Sequence, residues 1–175
     1  MINKVSKNVT SIVYASFADC TSLSSIELPV GLKSIEKKSF IYCYNLSDIN
    51  IPDGVTDIGD EAFCACDSIE NITIPNTVIT IGKDAFYQCS SLKNVVFGSS
   101  LTKIPSYAFS YSGIESIVIP NIGDEYEKKR TIDELPQSAA GKTIMTTEPK
   151  FVPATATTIQ VDDFTASIRM VDCVG

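Results

Sequence analysis

A solenoid of stacked repeats is the fold class that this sequence predicts, and three observations predict it. Phenylalanine recurs at a constant spacing, cysteine follows it three positions later, and an Ile-x-Ile alternation ending at proline returns in register. A fixed period of this length, about 23 residues, is typical of proteins in which each repeat packs only against its neighbours. The recurring phenylalanines are Phe17, Phe40, Phe63, Phe86 and Phe109.

The cysteine position predicts a buried ladder. It holds Cys20, Cys43, Cys66 and Cys89, and Ser112 takes the fifth place. We predict thiols that pack as small hydrophobic groups. A disulfide between neighbours stays open as an alternative, because equivalent positions on a parallel sheet lie about 4.8 Å apart. Cys64 and Cys66 form a lone Cys-x-Cys in a chain without histidine, so we predict no metal site.

Each unit predicts one strand followed by a second, shorter apolar step. In the third unit Ile72 and Ile74 alternate with polar residues, as in a half-buried strand, and Pro75 ends it because it has no N–H to donate. A second step follows at Val78-x-x-Ile81, and Gly82 is predicted to permit a sharp turn into the next unit.

The phenylalanine segment predicts a short turn of helix or a tight coil. Phe63, Cys66 and Ile69 are three residues apart, which places them along one buried edge. A single unit cannot fold alone, but stacked units form continuous apolar ladders in which each large side chain contributes roughly 1.5–3 kcal/mol. The fifth unit is one residue shorter after Ser112.

The combined frame, A/S-F-x-x-C-x-x-L-x-x-I-x-I-P-x-x-V-x-x-I-G over about residues 9–120, resembles the BspA-like, or Treponema pallidum-type, leucine-rich repeats. The resemblance implies a right-handed solenoid with short parallel strands. It also implies a non-enzymatic, adhesin-like module that binds a protein or glycan partner, often at a cell surface.

Two parts are predicted along the chain. Residues 1–120 form the leucine-rich-repeat solenoid of about five repeats, and residues 121–175 leave the repeat frame. Strands are predicted at 142–147, 158–163 and 165–171 from their Thr, Ile and Val content, with a turn at 162–163 between the last two and a short helix at 133–140. This β-rich segment either caps the solenoid or is an arm that docks onto another subunit in a homo- or hetero-oligomer. The second alternative makes the protein a structural component of a larger assembly, a virion or an intracellular scaffold.

Charge and hydropathy exclude several classes of function. The net charge is −7 and no basic stripe is present, which argues against nucleic-acid binding. No apolar run approaches the length that a membrane-spanning helix needs, so we predict no direct membrane insertion. No export signal is recognisable at the start of the sequence, which leaves the compartment open between the cell surface and an intracellular or particle-associated location.

No catalytic constellation, cofactor or metal site is predicted. The chain has no histidine, the commonest general base. The stretch 138–143 ends in Gly-Lys-Thr like a phosphate-binding loop, but Pro136 stands where that motif requires its first glycine. We therefore predict that the protein is not an enzyme.

Two surfaces are predicted to compete for the partner. The exposed strand positions form polar ladders at Ser25, Glu27, Asp48, Asn50, Asn71, Thr73 and Asn94. The segments after the phenylalanines carry Tyr42, Tyr44, Tyr87 and Tyr111. These tyrosines either anchor an interface, since tyrosine supplies rigid amphipathic area, or lie flat and shield the core.

Overall fold

The computed structural model of the protein describes residues 3–101, 104–105, 107–114, 116–120, 143–147, 157–161 and 168–170. In chain order the strands are β1 (Asn3–Lys4), β2 (Ser11–Ile12), β3 (Ser25–Glu27), β4 (Ser34–Ile35), β5 (Asp48–Ile49), β6 (Asp57–Ile58), β7 (Asn71–Thr73), β8 (Thr80–Ile81), β9 (Asn94–Val96), β10 (Ser116–Pro120), β11 (Thr143–Thr147), β12 (Thr157–Val161) and β13 (Ile168–Met170).

The Ile-x-Ile segments form parallel strands, as predicted. They stack in the orders β1-β3-β5 and β7-β9-β10. Partners are one full repeat apart, as in Asn71 opposite Asn94, and the last step is one residue shorter, with Ser116 opposite Asn94. The shorter fifth unit is therefore absorbed without loss of register. β1 adds a strand ahead of the five predicted ones, because Asn3 and Lys4 pair with Ile26 and Glu27.

The second apolar step is also a strand, which the sequence pattern does not reveal. Strands β2, β4, β6 and β8 form a separate four-stranded parallel sheet. Each contributes two residues, one partly or fully exposed and one buried isoleucine. Two residues are too few to show a period-two alternation, so only the stacking of neighbouring coils makes this ladder visible.

The third side consists of the phenylalanine segments, which we call the Phe turns: each runs from three residues before a recurring phenylalanine to four after it. They are tight coils and not helices. In the second turn the N–H groups of Lys38, Phe40 and Tyr42 donate to the next coil at 2.8–2.9 Å, while those of Ser39 and Ile41 donate back within the coil. A helix directs every N–H along its own axis, so it could not make these bonds between coils.

A left-handed backbone at two positions of every Phe turn makes this alternation possible. The residues two before and two after each phenylalanine have φ between 52° and 62°. None of the ten is glycine, although an L-residue in this region costs roughly 1 kcal/mol or more. They are Ala15, Asp19, Lys38, Tyr42, Glu61, Ala65, Asp84, Gln88, Tyr107 and Tyr111.

The core is a set of ladders that run along the array. The five recurring phenylalanine rings stack at centroid distances of 5.0–5.3 Å with interplanar angles of 2–10°. Phe40, Phe63 and Phe86 are fully buried, whereas Phe17 at the end of the stack is partly exposed. Phe97 closes the other end with its ring edge-on to Phe109 at 5.6 Å.

The cysteine ladder has a hydrogen-bonding function besides its packing. Each of Cys43, Cys66 and Cys89 donates its thiol to the carbonyl of the phenylalanine 26 residues earlier, at 3.0–3.1 Å. Ser112 instead donates to Phe109 in its own turn. All five cysteines of the described residues are free thiols, as predicted. A small side chain with a weak donor fits this position because the carbonyl it faces is buried.

Gly82 has a different role from the predicted one. Its backbone does not adopt a left-handed φ, but a Cβ at this position would lie 2.2 Å from the backbone nitrogen of Asp60 in the preceding coil. Gly59 is constrained in the same way by Lys37, at 2.5 Å. Glycine is therefore required by the close approach of neighbouring coils, which no local turn pattern indicates.

The C-terminal strands extend the repeat sheet. β11 pairs in parallel with β10, and β11, β12 and β13 pair antiparallel in sequence. Their bounds agree with the three predicted strands to within three residues at each end. The helix predicted at 133–140 and the turn at 162–163 lie outside the described residues. The division into 1–120 and 121–175 remains a proposal.

Candidate binding surfaces

The predicted strand-face residues lie side by side on the first ladder. Ser25 is half-buried and Glu27, Asp48, Asn50, Asn71, Thr73 and Asn94 are exposed. Part of this polarity is satisfied within the array. The Asn94 amide donates to Asn71 Oδ1 at 2.7 Å, and Lys4 Nζ lies 2.6 Å from Glu27 Oε1. Val96 is a large apolar side chain exposed on this face.

The predicted tyrosines lie on the outer side of the Phe turns. Tyr42, Tyr44 and Tyr111 expose between 39% and 70% of their surface, and Tyr87 is half-buried. The structure adds two that the pattern missed, Tyr14 at 62% and Tyr107 at 45%. We call these six residues the tyrosine face. The two missed tyrosines lie within three residues of a recurring phenylalanine, on its N-terminal side. That nearness to the phenylalanine in sequence could have identified them as part of the same surface.

Two pairs of rings lie close together within the tyrosine face. Tyr42 and Tyr44 have ring centroids 6.0 Å apart and tilted by 32°. Tyr87 and Tyr111 come from neighbouring turns and meet edge to face at 5.3 Å. Pairs in these geometries are favourable, and they present rings and hydroxyls together to solvent.

A small apolar cluster separate from the core packs against one residue of the tyrosine face. It consists of the buried residues Ile41, Cys64 and Ala65, with Ala18 and Tyr87 packed against them. Burial raises the pKa of the Cys64 thiol to about 11, with Glu61 adding to the effect. The thiol therefore stays protonated near neutral pH and is not a reactive nucleophile.

Charged residues border the tyrosine face at the start of the second, third and fourth Phe turns. Lys38 Nζ lies 3.3 Å from Glu61 Oε2, and Lys37 Nζ lies 3.7 Å from Asp60 Oδ2. The hydrogen bond with Glu61 and its charge raise the pKa of Lys38. Lys83 Nζ is 3.9 Å from Asp84 Oδ2 and 5.6 Å from the centroid of the Tyr107 ring. Such exposed pairs contribute little to stability but organise the local charge.

The second sheet carries a hydroxyl and carboxylate ladder that was not predicted. Thr80 donates to Asp57 Oδ1 and Thr56 to Asp57 Oδ2, both at 2.6 Å. These hydrogen bonds lower the pKa of the Asp57 carboxyl. Each carboxylate oxygen already accepts a hydroxyl, so this ladder is explained by its own contacts.

Searches for other sites cover only the part of the chain that the structure describes. There, no group of three or more acidic or cysteine side chains is placed to hold a metal ion. No helix in the same residues is long and apolar enough to cross a membrane.

Comparison with known proteins identifies the repeat. The family model for the BspA type leucine-rich repeat region matches six copies over residues 3–129. The chain belongs to the BspA-type leucine-rich-repeat family. The six copies agree with the six strands β1, β3, β5, β7, β9 and β10, one more than the five predicted repeats.

Solved structures share this fold. The leucine-rich-repeat protein TpLRR of T. pallidum is 29% identical with a TM-score of 0.65, covering 67% of this chain and 58% of its own. A leucine-rich cell surface protein of Faecalibacterium prausnitzii is 26% identical with a TM-score of 0.68, covering 93% of this chain and 43% of its own. The pneumococcal vaccine antigen PcpA, at 20% identity and a TM-score of 0.65, has the same fold; the alignment covers 83% of this chain and 36% of that one.

The C-terminal part is similar to a different protein. The family model for the ATPase domain of Stage IV sporulation protein A matches residues 103–175. The Bacillus anthracis and Bacillus subtilis proteins of that name are 62% and 60% identical over 63 residues, which is 35% of this chain. The chain spans 13% of the length of these relatives. The matched range includes the Gly-Lys-Thr stretch at 141–143, of which the structure describes only Thr143.

Proposed function

We propose that the repeat array is a non-enzymatic protein-interaction module that binds its partner through the tyrosine face. One observation carries the proposal: all six tyrosines within residues 1–120 lie on the outer side of the Phe turns, and five of them are exposed. Exposed tyrosine is enriched at the centres of protein interfaces because it buries a large area at little cost in side-chain entropy.

The strand face is less suited than the tyrosine face to binding a protein partner. Its side chains are short and polar, and several already bond to one another, as Asn71 does to Asn94. Burying such groups replaces existing hydrogen bonds and adds little apolar area. We therefore assign Ser25, Glu27, Asp48, Asn50, Thr73 and the asparagine pair a secondary role at most.

Two settings for this module have separate support. An adhesin-like role, with a protein or glycan at a cell surface, is supported by the 26% identity to a leucine-rich cell surface protein. A role as a structural component of a larger assembly is supported by the 62% identity to a sporulation protein over 63 residues. In the second setting residues 121–175 are the docking segment, and in the first they cap the array.

The proposal that the chain is non-enzymatic extends to its ATPase-like part. Pro136 stands at the first glycine position of the only stretch that resembles a phosphate-binding loop. Glycine at that position lets the backbone wrap a phosphate group, and proline also lacks the N–H that would donate to it. Steady-state phosphate release from ATP by the full chain, compared with heat-inactivated protein, tests this point. ATP hydrolysis that Lys142→Ala abolishes would refute the proposal.

The binding proposal is tested with two matched variants of the full chain. One replaces Tyr42, Tyr44, Tyr87 and Tyr111 with serine, and the other replaces Asp48, Asn50, Asn71 and Asn94 with serine. Each carries four substitutions on one face. Photo-crosslinking in sporulating cells and on intact cell surfaces should capture a partner with the wild type and the strand-face variant and lose it with the tyrosine variant. Loss in the strand-face variant alone would reverse the assignment.

Complex formation distinguishes the structural role from the cell-surface role. Light scattering coupled to size exclusion measures the mass of the full chain alone and mixed with Stage IV sporulation protein A of Bacillus subtilis. A mixed complex favours the structural role. If the full chain is a monomer and does not bind the sporulation protein, the cell-surface role is favoured.

A further inference from the structure

The fourth and fifth Phe turns hold a lysine between a ring and a carboxylate. Lys83 Nζ is 5.6 Å from the centroid of Tyr107, within the distance at which a cation is attracted to an aromatic face. The same nitrogen is 3.9 Å from Asp84 Oδ2. The side chain of Lys83 is nevertheless 63% exposed, so it is held loosely.

Two further rings complete this corner of the tyrosine face. Tyr87 and Tyr111 meet edge to face at 5.3 Å. Burial raises the pKa of the Tyr87 hydroxyl, and the nearby Tyr111 and Asp84 raise it further. The backbone N–H of Tyr87 also donates to the Asp84 carbonyl at 3.1 Å, which links Asp84 to the ring pair as well as to Lys83. Three tyrosines and one carboxylate share this part of the surface.

Lys83 and Asp84 are the charged residues of the fourth and fifth turns. In the second and third turns Lys37 and Lys38 pair with Asp60 and Glu61, whereas Lys83 is the sole basic residue of the fourth and fifth turns. Burial raises the pKa of the Asp84 carboxyl; Lys83 opposes this shift, and Glu61 and Asp60 add to it. Asp60 and Glu61 already have Lys37 and Lys38 as partners, so Asp84 is the carboxylate for which a cation from outside would compete with Lys83.

We infer that Asp84, Tyr87, Tyr107 and Tyr111 form a recognition site for a lysine or arginine side chain of the partner protein, which displaces Lys83. This rests on the proposed function and specifies the partner as a protein with an exposed basic segment. Residues 1–120 carry 12 acidic and 8 basic side chains, a net charge of −4 that favours the approach of such a segment. A neutral sugar that stacked on the rings would bring no positive charge to the Asp84 carboxylate.

The test titrates the full chain with a short peptide of alternating lysine and serine, and with the same peptide acetylated on every lysine. The protein has no tryptophan, and six of its seven tyrosines lie on the tyrosine face, so tyrosine fluorescence reports binding there directly. The lysine peptide should bind and lose affinity as NaCl is raised, and the acetylated peptide should bind at least about fivefold more weakly. Equal binding of both peptides, or of a neutral oligosaccharide, would overturn the inference.

Variants separate the site from the rest of the face. Lys83→Gln removes the internal competitor and should tighten peptide binding about twofold to fivefold, whereas Asp84→Asn and Tyr107→Leu should weaken it by a similar factor. Val30→Ser, at an exposed side chain outside the tyrosine face, should leave affinity unchanged. Circular dichroism melts identify any variant whose fold is perturbed, and Lys83→Gln stays informative in that case because it predicts a gain.

The two hypotheses fail in different ways. If the four-tyrosine variant retains its cellular partner, the proposed function is wrong. If that variant loses its partner but Lys83→Gln leaves or lowers the affinity for the lysine peptide, the tyrosine face binds by another chemistry and only this inference is wrong.

Discussion

The inner and outer sides of the same Phe turns follow opposite rules. On the inner side phenylalanine and cysteine return at the same place in successive units, and their rings and thiols form uninterrupted ladders. Away from the core the residue type changes from turn to turn: two residues after each phenylalanine stand the exposed Asp19, Tyr42, Gln88 and Tyr111, and Ala65, which is buried in the small apolar cluster. The contrast shows that the stack fixes what faces inward and leaves the outward positions free to make a specific surface.

The largest expected effect lies at the centre of the inner ladder. Phe63→Ala should lower the free energy of unfolding by about 3–5 kcal/mol, because Phe63 is fully buried between two stacked rings and the cavity cannot collapse. Urea unfolding followed by circular dichroism measures this. Phe17→Ala is the matched control at the partly exposed end, and its cost should be clearly smaller. Equal costs would contradict a core built from neighbour contacts.

Substitution at a close contact between coils should lower stability almost as much. Gly82→Ala should cost about 1–3 kcal/mol, because its Cβ would meet backbone of the preceding coil at 2.2 Å and backbone cannot rotate away. Gly31→Ala has its nearest atom at 3.8 Å and should be nearly neutral. Thermal melts of the two variants give the comparison, and a neutral Gly82→Ala would show that the coils can separate freely.

The buried thiols should make stability depend on pH in the alkaline range. Burial raises the pKa of Cys43 and of Cys64 to about 11 from an ordinary value of 9.0. The protonated folded form is thus favoured below pH 9, and this stabilisation is lost as the pH rises from about 9 through 11. The loss should be of the order of 1 kcal/mol or more per thiol. Unfolding titrations at several pH values should show a shallower slope for the Cys43→Ser, Cys64→Ser variant, and an unchanged slope would contradict burial of the thiols.

The smallest effect on stability is expected on the outer side. Replacing Tyr42 and Tyr111 with serine should change the free energy of unfolding by less than about 1 kcal/mol, because neither belongs to the buried core: Tyr42 exposes 39% and Tyr111 70% of its surface. Binding of the partner should nevertheless fall. If instead stability falls by as much as for Phe17→Ala, the tyrosines shield the core, which is the alternative function the sequence leaves open.

The regular features of the fold could be predicted because they repeat. Ile72, Phe63 and Cys66 each belong to a position that recurs four or five times, so register and burial follow from periodicity. The second sheet and the left-handed backbone at Asp84 and Gln88 could not be predicted in this way. A strand of two residues shows no alternation, and a positive φ at a residue other than glycine has no signature in composition.

The candidate site was predictable only in part. Tyr42, Tyr44, Tyr87 and Tyr111 stand out as aromatic residues between buried positions, but the sequence does not distinguish an anchor from a shield. Lys83 contacts Asp84 in its own turn and Tyr107 in the next. The sequence does not predict these contacts, because they depend on the direction in which the side chains point.

By itself, therefore, the sequence determined that this protein is a repeat array and which residues form its core. These follow from a period that only stacking can satisfy, since one unit has too few apolar side chains to fold alone. Only the tertiary structure shows that position 82 requires glycine because a Cβ would clash with the preceding coil. It also shows that the thiols donate hydrogen bonds to buried carbonyls and that tyrosines from separate turns form one face. Each of these depends on distances between coils, which a linear pattern does not contain.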